Sequence, residues 1–214
     1  MSGEQLVAQR VSILITTSHR PSQRVRSFVK DLVSVLPNAV KLTRGKATLE
    51  ELYYEAVARG AKRVIIVSAW KGNPGSLRVY EPLEPPDTRL GLIARIMMKG
   101  VKLSRETPGA QRAFGARSLG VFLNASPSST LFGLADTLTR VFLGKIVLSH
   151  DDDSVDVVAV IRPFSEGLAE VTFLCTGSGR VCGPTLRIVG VEDLVSGFST
   201  YKARRIESAR GKSP

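Results

Sequence analysis

Arg20, Arg24 and Arg26, with Lys30 one turn further on, crowd the start of a helical stretch in "ILITTSHRPSQRVRSF". The first turn of a helix exposes unpaired backbone N–H groups and a partial positive charge, so Asp or Glu is favoured there. Each cation at that position forgoes about 0.3–1 kcal/mol of dipole interaction. A bound phosphate reverses the sign, because the N–H groups and the guanidinium forks then face the same anion. A second basic helix start follows in "KLTRGKA", where Lys41, Arg44 and Lys46 surround Gly45. It is no nucleotide-hydrolysing loop, since Ala47 stands where the GK[ST] order needs a hydroxyl. No GxGxxG follows the first strand, which removes the dinucleotide-cofactor reading. Arg20, Arg24, Arg26, Lys30, Lys41, Arg44 and Lys46 are therefore the candidate contacts to a phosphate backbone.

Other chemistry-bearing clusters are weaker. "SHDDDSVD" offers His150, Asp151, Asp152, Asp153 and Asp156, hard ligands suited to Mg²⁺ or Ca²⁺. The spacing fits no EF-hand, so an acidic turn between helix and strand is expected, with no metal. A metal-dependent ribonuclease built on Asp151–Asp153 is the alternative that this stretch leaves open. Ser18 and His19 lack an orienting acid and an elbow motif, so no catalytic residue is expected. "FLCTGSGRVCG" reads as a hairpin turning at Ser178-Gly179, which sets Cys175 opposite Cys182. Free thiols are expected, because intracellular disulfides are rare, and a cross-strand bridge is the alternative. Trp70, beside Lys71, is expected to pack, with base stacking as its alternative role. No aromatic ladder is present, which favours recognition of backbone and shape over base reading.

The elements that must position these residues alternate. Val11–Thr17 is a short strand, and Val25, Phe28, Val29, Leu32 and Leu36 recur at helical spacing after Pro21. Ala39–Leu42 is a brief strand. "KATLEELYYEAVARG" is a helix with Thr48 and Glu51 in capping-box spacing and Gly60 at its end. "KRVIIVSAW" and "SLRVYEPL" are strands joined by a turn, and Arg89–Leu103 reads as strand, with a short helix at "LIARIMM" as the alternative. "SRETPGAQRAFGARS" reads as a mobile basic loop. From Leu119 the plan restarts, with Ser126, Pro127 and Ser128 echoing Ser18, Pro21 and Ser22, and with strands at Val155–Ile161, Ala169–Cys175 and Val181–Val191. The expected fold is α/β (α+β): two structurally related halves, each a mixed β-sheet flanked by helices. Their bounds are about 10–103 and about 119–195, with a basic connecting loop at about 104–118 and a basic tail at about 200–214.

Charge sharpens the functional reading. The 214 residues carry thirty Lys and Arg against nineteen Asp and Glu, a net charge of +11. Residues 10–46 hold eight basic side chains and one acidic, and residues 89–117 hold seven and one. Cations gathered in windows, with the rest of the chain net acidic, point to a face for a polyanion. No stretch is long and apolar enough to span a membrane, and the N-terminus has no signal-peptide pattern, so a cytoplasmic protein is expected.

"ITTSHRPSQRVRSFVKDLVSVLPNAVKLTRGK" resembles the opening of the Brix-domain proteins, with strand, TS-x-x-PS, basic helix, PN and RG in that order. "WKGNPGSLRVYEPLEPP" and "VCGPTLRIVGV" are similar to later segments of the same family, so the likeness runs from Val11 to Val191. The resemblance implies two α/β halves, each like the anticodon-binding domain of class II aminoacyl-tRNA synthetases. It implies a non-enzymatic role in ribosome biogenesis, with precursor ribosomal RNA and other assembly factors or ribosomal proteins as partners. It implies no cofactor and no small-molecule substrate. A protein-interaction module with incidental RNA affinity is the alternative.

Overall fold

The computed structural model describes residues 11–124 and 128–200. Ser126 and Pro127 of the repeated turn, and the basic tail from residue 201, lie outside the described residues. Strand β1 (Ile13–Thr17) is buried at all five positions, as an aliphatic strand must be when helices cover both faces. Helix α1 (Gln23–Val35) covers one face with Val25, Phe28, Val29, Leu32 and Val35. Helix α2 (Leu49–Arg59) covers the other with Leu52, Tyr53 and Ala56. The expected capping box is present: the Glu51 N–H donates to Thr48 Oγ1 at 3.1 Å, and the Thr48 N–H to Glu51 Oε2 at 2.7 Å. Gly60 ends the helix at φ 67°, where a Cβ would be penalised.

Strands β2 (Ala39–Lys41) and β3 (Arg63–Trp70) flank β1 in parallel. Strands β4 (Asn73–Pro82) and β5 (Leu90–Lys102) continue the sheet antiparallel. The second half repeats the plan with β6 (Leu119–Leu123), α3 (Ser129–Val141), β7 (Lys145–Ile146), β8 (Val157–Pro163), β9 (Ala169–Cys175) and β10 (Arg180–Asp193). The strand order is β2-β1-β3-β4-β5-β10-β9-β8-β6-β7. Outward from the centre, β5-β4-β3-β1-β2 is matched by β10-β9-β8-β6-β7. The antiparallel β5–β10 pair fuses the halves into one ten-stranded sheet. The second half has no counterpart of α2. There the loop before β8 lays Val147 and Val155 over Val158 and Val160 instead.

Helices α1 and α3 lie over one continuous apolar cluster that runs across the junction. At Gly183 on β10 an added Cβ would stand 2.7 Å from Val35 Cγ1 of α1 and 2.8 Å from Phe173 Cβ. The first half's helix thus closes onto the second half's strand, and only a residue without a side chain permits that approach.

Two expectations are corrected. Residues 104–118 are not a mobile loop. After a 3₁₀ turn (Ser104–Glu106), the Gln111 N–H donates to Val181 O at 2.9 Å, and the Asn38 N–H to Ala116 O at 2.8 Å. Asp156 Oδ2 accepts the Arg117 and Ser118 N–H groups at 2.8 and 3.0 Å. Small apolar side chains make this possible, since Ala113 and Ala116 are buried against the core. The cysteines are not free thiols. The turn occupies 176–179, so Cys175 faces Arg180, and a register shift after Val181 brings Cys182 back to it. Cys175 and Cys182 form a disulfide with Cα atoms 5.7 Å apart. Closing so short a loop stabilises by about 2 kcal/mol in the chain-entropy account. Reduction with dithiothreitol is therefore expected to lower the Tm, and mass spectrometry of the unreduced protein to find no alkylatable thiol. Two labelled cysteines without reductant would contradict the bridge.

Candidate nucleic-acid interface

The parallel strands β2, β1 and β3 end on the same edge of the sheet, where open α/β sheets place ligands. Three turns meet there. The Ser18 N–H donates to Val67 O at 2.8 Å, the Leu42 N–H donates to Ile15 O at 2.9 Å, and Thr16 Oγ1 donates to Leu42 O at 2.9 Å. His19 Nδ1 donates to Gly45 O at 3.2 Å. Ser22 does two things: it accepts the Val25 N–H at 3.2 Å as N-cap of α1, and its hydroxyl donates to Gly72 O at 2.5 Å. The β3–β4 turn is thereby pinned to the helix start. Arg20 and Lys71 sit on this edge at φ 52° and 47°. Non-glycine residues in that region cost on the order of 1–3 kcal/mol and cluster where function demands them.

Between the turns lies a cleft of about 400 Å³. Arg20, Arg26, Lys41 and Arg44 line it together with Thr17, Ser18 and Thr43, and its lining contains no carboxylate. Arg44 donates from Nε to Ala47 O at 3.0 Å, and burial followed by the charge of Arg78 pushes its pKa down. Cations held close to one another without a local counter-ion favour an arriving anion. No acidic residue occupies the first turn of α1.

The seven expected contacts therefore divide. Arg20, Arg26, Lys41 and Arg44 converge on the cleft. Lys46 is exposed beside Gly45, outside the cleft lining. Lys30 lines a different groove, with Arg105 and Arg112. Arg24 is engaged elsewhere. Its Nη1 pairs with Glu106 Oε1, while its Nη2 donates to Glu106 Oε2 at 2.8 Å and to Val101 O at 3.0 Å. That bond, with the Leu103 N–H donating to Oε2 at 2.9 Å, holds the Glu106 carboxyl below its ordinary range. At the same edge Trp70 departs from the packed role expected of it, and Arg78 is a neighbour that the sequence reading did not name. Trp70 is 71% exposed at the end of β3 rather than packed, and Arg78 stands close enough to Arg44 to depress its pKa. The signal for Trp70 was its place at a strand end next to Lys71.

The acidic stretch is a set of local turns. Asp151 accepts from the Ser149 hydroxyl, and Asp152 accepts from the Ser154 hydroxyl and, at 3.0 Å, from the Ser154 N–H. Among the described residues no group of three or more His, Cys, Asp or Glu is placed to hold a metal. Nor is any described helix long and apolar enough to cross a membrane.

No family model matches the sequence. Curated proteins do. The chain is 41% identical over 180 residues to a probable Brix domain-containing ribosomal biogenesis protein of Aeropyrum pernix, covering 81% of this chain and 93% of that one. It is 47% identical over 174 residues to the protein of the same description from Thermococcus kodakarensis, covering 73% and 79%. The chain belongs to the Brix domain-containing ribosomal biogenesis proteins. Within that family the crystal structure of a probable ribosomal biogenesis protein from Aeropyrum pernix matches with a TM-score of 0.70 at 36% identity, over 84% of this chain and 96% of that one. Mil, an archaeal Imp4-like protein, matches in fold with a TM-score of 0.61 at 22% identity, over 84% and 99%. The expected family resemblance and α+β fold thus hold for this Brix protein. The cleft at the ends of β1 and β2 gathers four of its cations, Arg20, Arg26, Lys41 and Arg44.

Proposed function

We propose that this Brix protein is a non-enzymatic ribosome assembly factor that grips single-stranded ribosomal RNA, or its precursor, by consecutive phosphates in the cleft. The observation that carries this reading is the convergence of Arg20, Arg26, Lys41 and Arg44 around a cavity lined by no carboxylate. Four cations in one cleft suit a polyanion, and the absence of a nucleotide-binding motif disfavours a free nucleotide. Its relatives are named as ribosomal biogenesis proteins, which supports ribosomal RNA as the polyanion of this reading. The protein works in the cytoplasm, beside other assembly factors or ribosomal proteins, and needs no cofactor. Crosslinking in cells followed by sequencing of the attached RNA is expected to return ribosomal RNA. Partner capture that survives both ribonuclease and loss of the cleft cations, without ribosomal RNA enrichment, would favour a protein-interaction module instead.

Trp70 supplies the apolar element of the same edge. An exposed indole beside a basic cleft can carry one unstacked base, an interaction worth about 1–3 kcal/mol. Trp70→Ala is expected to weaken binding to unstructured RNA by that amount and to leave the Tm unchanged, as fluorescence anisotropy and thermal melts will report. Equal affinity would remove the stacking role.

A further inference from the structure

We infer that the RNA track does not end at the cleft but crosses α1 into a second phosphate-binding groove formed with the connecting segment. This groove, of about 390 Å³, lies between the outer face of α1 and residues 104–112, and Lys30, Arg105 and Arg112 line it. Its shape is fixed from several sides. Arg105 Nη1 donates to Ser27 Oγ at 3.4 Å, and Gln111 is held by its N–H to Val181 O at 2.9 Å and by Nε2 to Ser178 Oγ at 2.5 Å. The one carboxylate in the lining, Asp31, accepts the Ser104 N–H at 2.8 Å, and the lining keeps a net positive charge. Glu106, next to Arg105, is bound by Arg24.

The cations of this groove are not neutralised by ion pairs. Arg95, Lys99, Arg140 and Arg187 each have an acidic partner within 4 Å, whereas Lys30, Arg105 and Arg112 have none among the described residues. Surface charges left unpaired in a formed groove are available to a ligand. Continuity with the cleft comes from α1 itself. Arg26 lines the cleft and Lys30 the groove, and positions four apart share one helix face, about 6 Å along the axis. A small anion would be served by either site alone. Only an extended phosphodiester strand engages both, and the second contact then forms at high effective concentration.

The inference rests on the cleft reading, and two variants and two RNA lengths separate them. In the groove variant Lys30, Arg105 and Arg112 become glutamine. In the cleft variant Arg20, Arg26, Lys41 and Arg44 do. Binding is measured against salt for unstructured RNAs of about four and about twelve nucleotides, within the range of single-strand site sizes. The groove variant is expected to lose about 2 from the log–log salt slope on the longer RNA, at about 0.7 per contact, and nothing on the shorter one. An unchanged slope on the longer RNA overturns the groove, and an equal loss on both lengths overturns the single track. If the cleft variant keeps its slope while the groove variant loses it, the cleft reading falls and the shared track falls with it. Acetylation footprinting of the unaltered protein gives a readout free of folding effects: the longer RNA should protect Lys30 as well as Lys41, and an unprotected Lys30 counts against the groove.

Discussion

Replacing Arg20, Arg26, Lys41 and Arg44 together by glutamine is expected to lower the log–log salt slope of single-stranded RNA binding by about 2.8, at about 0.7 per lost phosphate contact. Between 50 and 200 mM salt, that slope corresponds to about a 50-fold difference in affinity that the wild type shows and the variant does not. The fold should survive, because Arg20, Arg26 and Lys41 are exposed and have no ion-pair partner among the described residues. Arg24 is the internal control. It lies in the same run of arginines, yet it spans from α1 to Glu106 and the Val101 carbonyl. Arg24→Gln should leave the slope unchanged and reduce stability by about 1 kcal/mol, the upper end for a half-exposed pair. A slope that falls with Arg24 but not with the cleft residues would reverse the assignment.

The largest effect on stability is expected at Asp193. This carboxylate at the end of β10 is 2% exposed and serves as the acceptor for four groups. Thr137 Oγ1 of α3 donates to Oδ2 at 3.0 Å, and Arg140 Nη1 pairs with the same oxygen. The Val195 and Ser196 N–H groups donate to Oδ1 at 2.9 and 3.1 Å. Burial, the largest single influence, would raise its pKa, but hydrogen bonds from the Ser196 and Val195 N–H groups and the Thr137 and Ser196 side chains together outweigh it and hold it below the ordinary 3.8. The carboxylate therefore contributes its full stability above pH 3.8, and the contribution is lost as pH falls through the lower folded value. Asp193→Ala strips the Val195 and Ser196 N–H groups of their acceptor, while Arg140 keeps Asp136 and the Thr137 hydroxyl keeps Gly133 O, and it is expected to cost about 2–3 kcal/mol. Arg140→Leu should cost less, because three donors still satisfy the carboxylate. Denaturant titration of both variants and their double mutant separates the Arg140 pair from the Val195 and Ser196 N–H bonds. Loss of less than about 1 kcal/mol in Asp193→Ala would contradict the network's role.

What was legible in the sequence was local. The apolar stripe Val25, Phe28, Val29, Leu32 fixed the face of α1, and the Thr48–Glu51 spacing fixed the start of α2. The repeated strand–turn–helix plan announced two related halves. What was not legible depended on contacts distant in sequence. The fusion into one sheet comes from β5 meeting β10, about 90 residues apart, and nothing in either strand's alternation names its partner. The connecting segment read as mobile because it mixes Gly, Pro and Arg without a helical or strand period, while its anchors are carbonyls of Ser34, Val181 and Cys182 on other elements. The disulfide depended on a register shift after Val181 that no spacing announces. The site divided for the same reason. Charge clustering pointed to the basic face of the first half, but Arg24 and Arg26 look equivalent until Glu106 is folded back onto one of them.

Photocrosslinking of 4-thiouridine-substituted ribosomal RNA to the unaltered protein, with the attached peptides mapped by mass spectrometry, tests the central claim most directly. Crosslinks should concentrate in the turns after β1, β2 and β3, in peptides bearing Arg20, Arg44 and Trp70. Crosslinks confined to the second half, around β8 and α3, with those three turns unmarked, would contradict it.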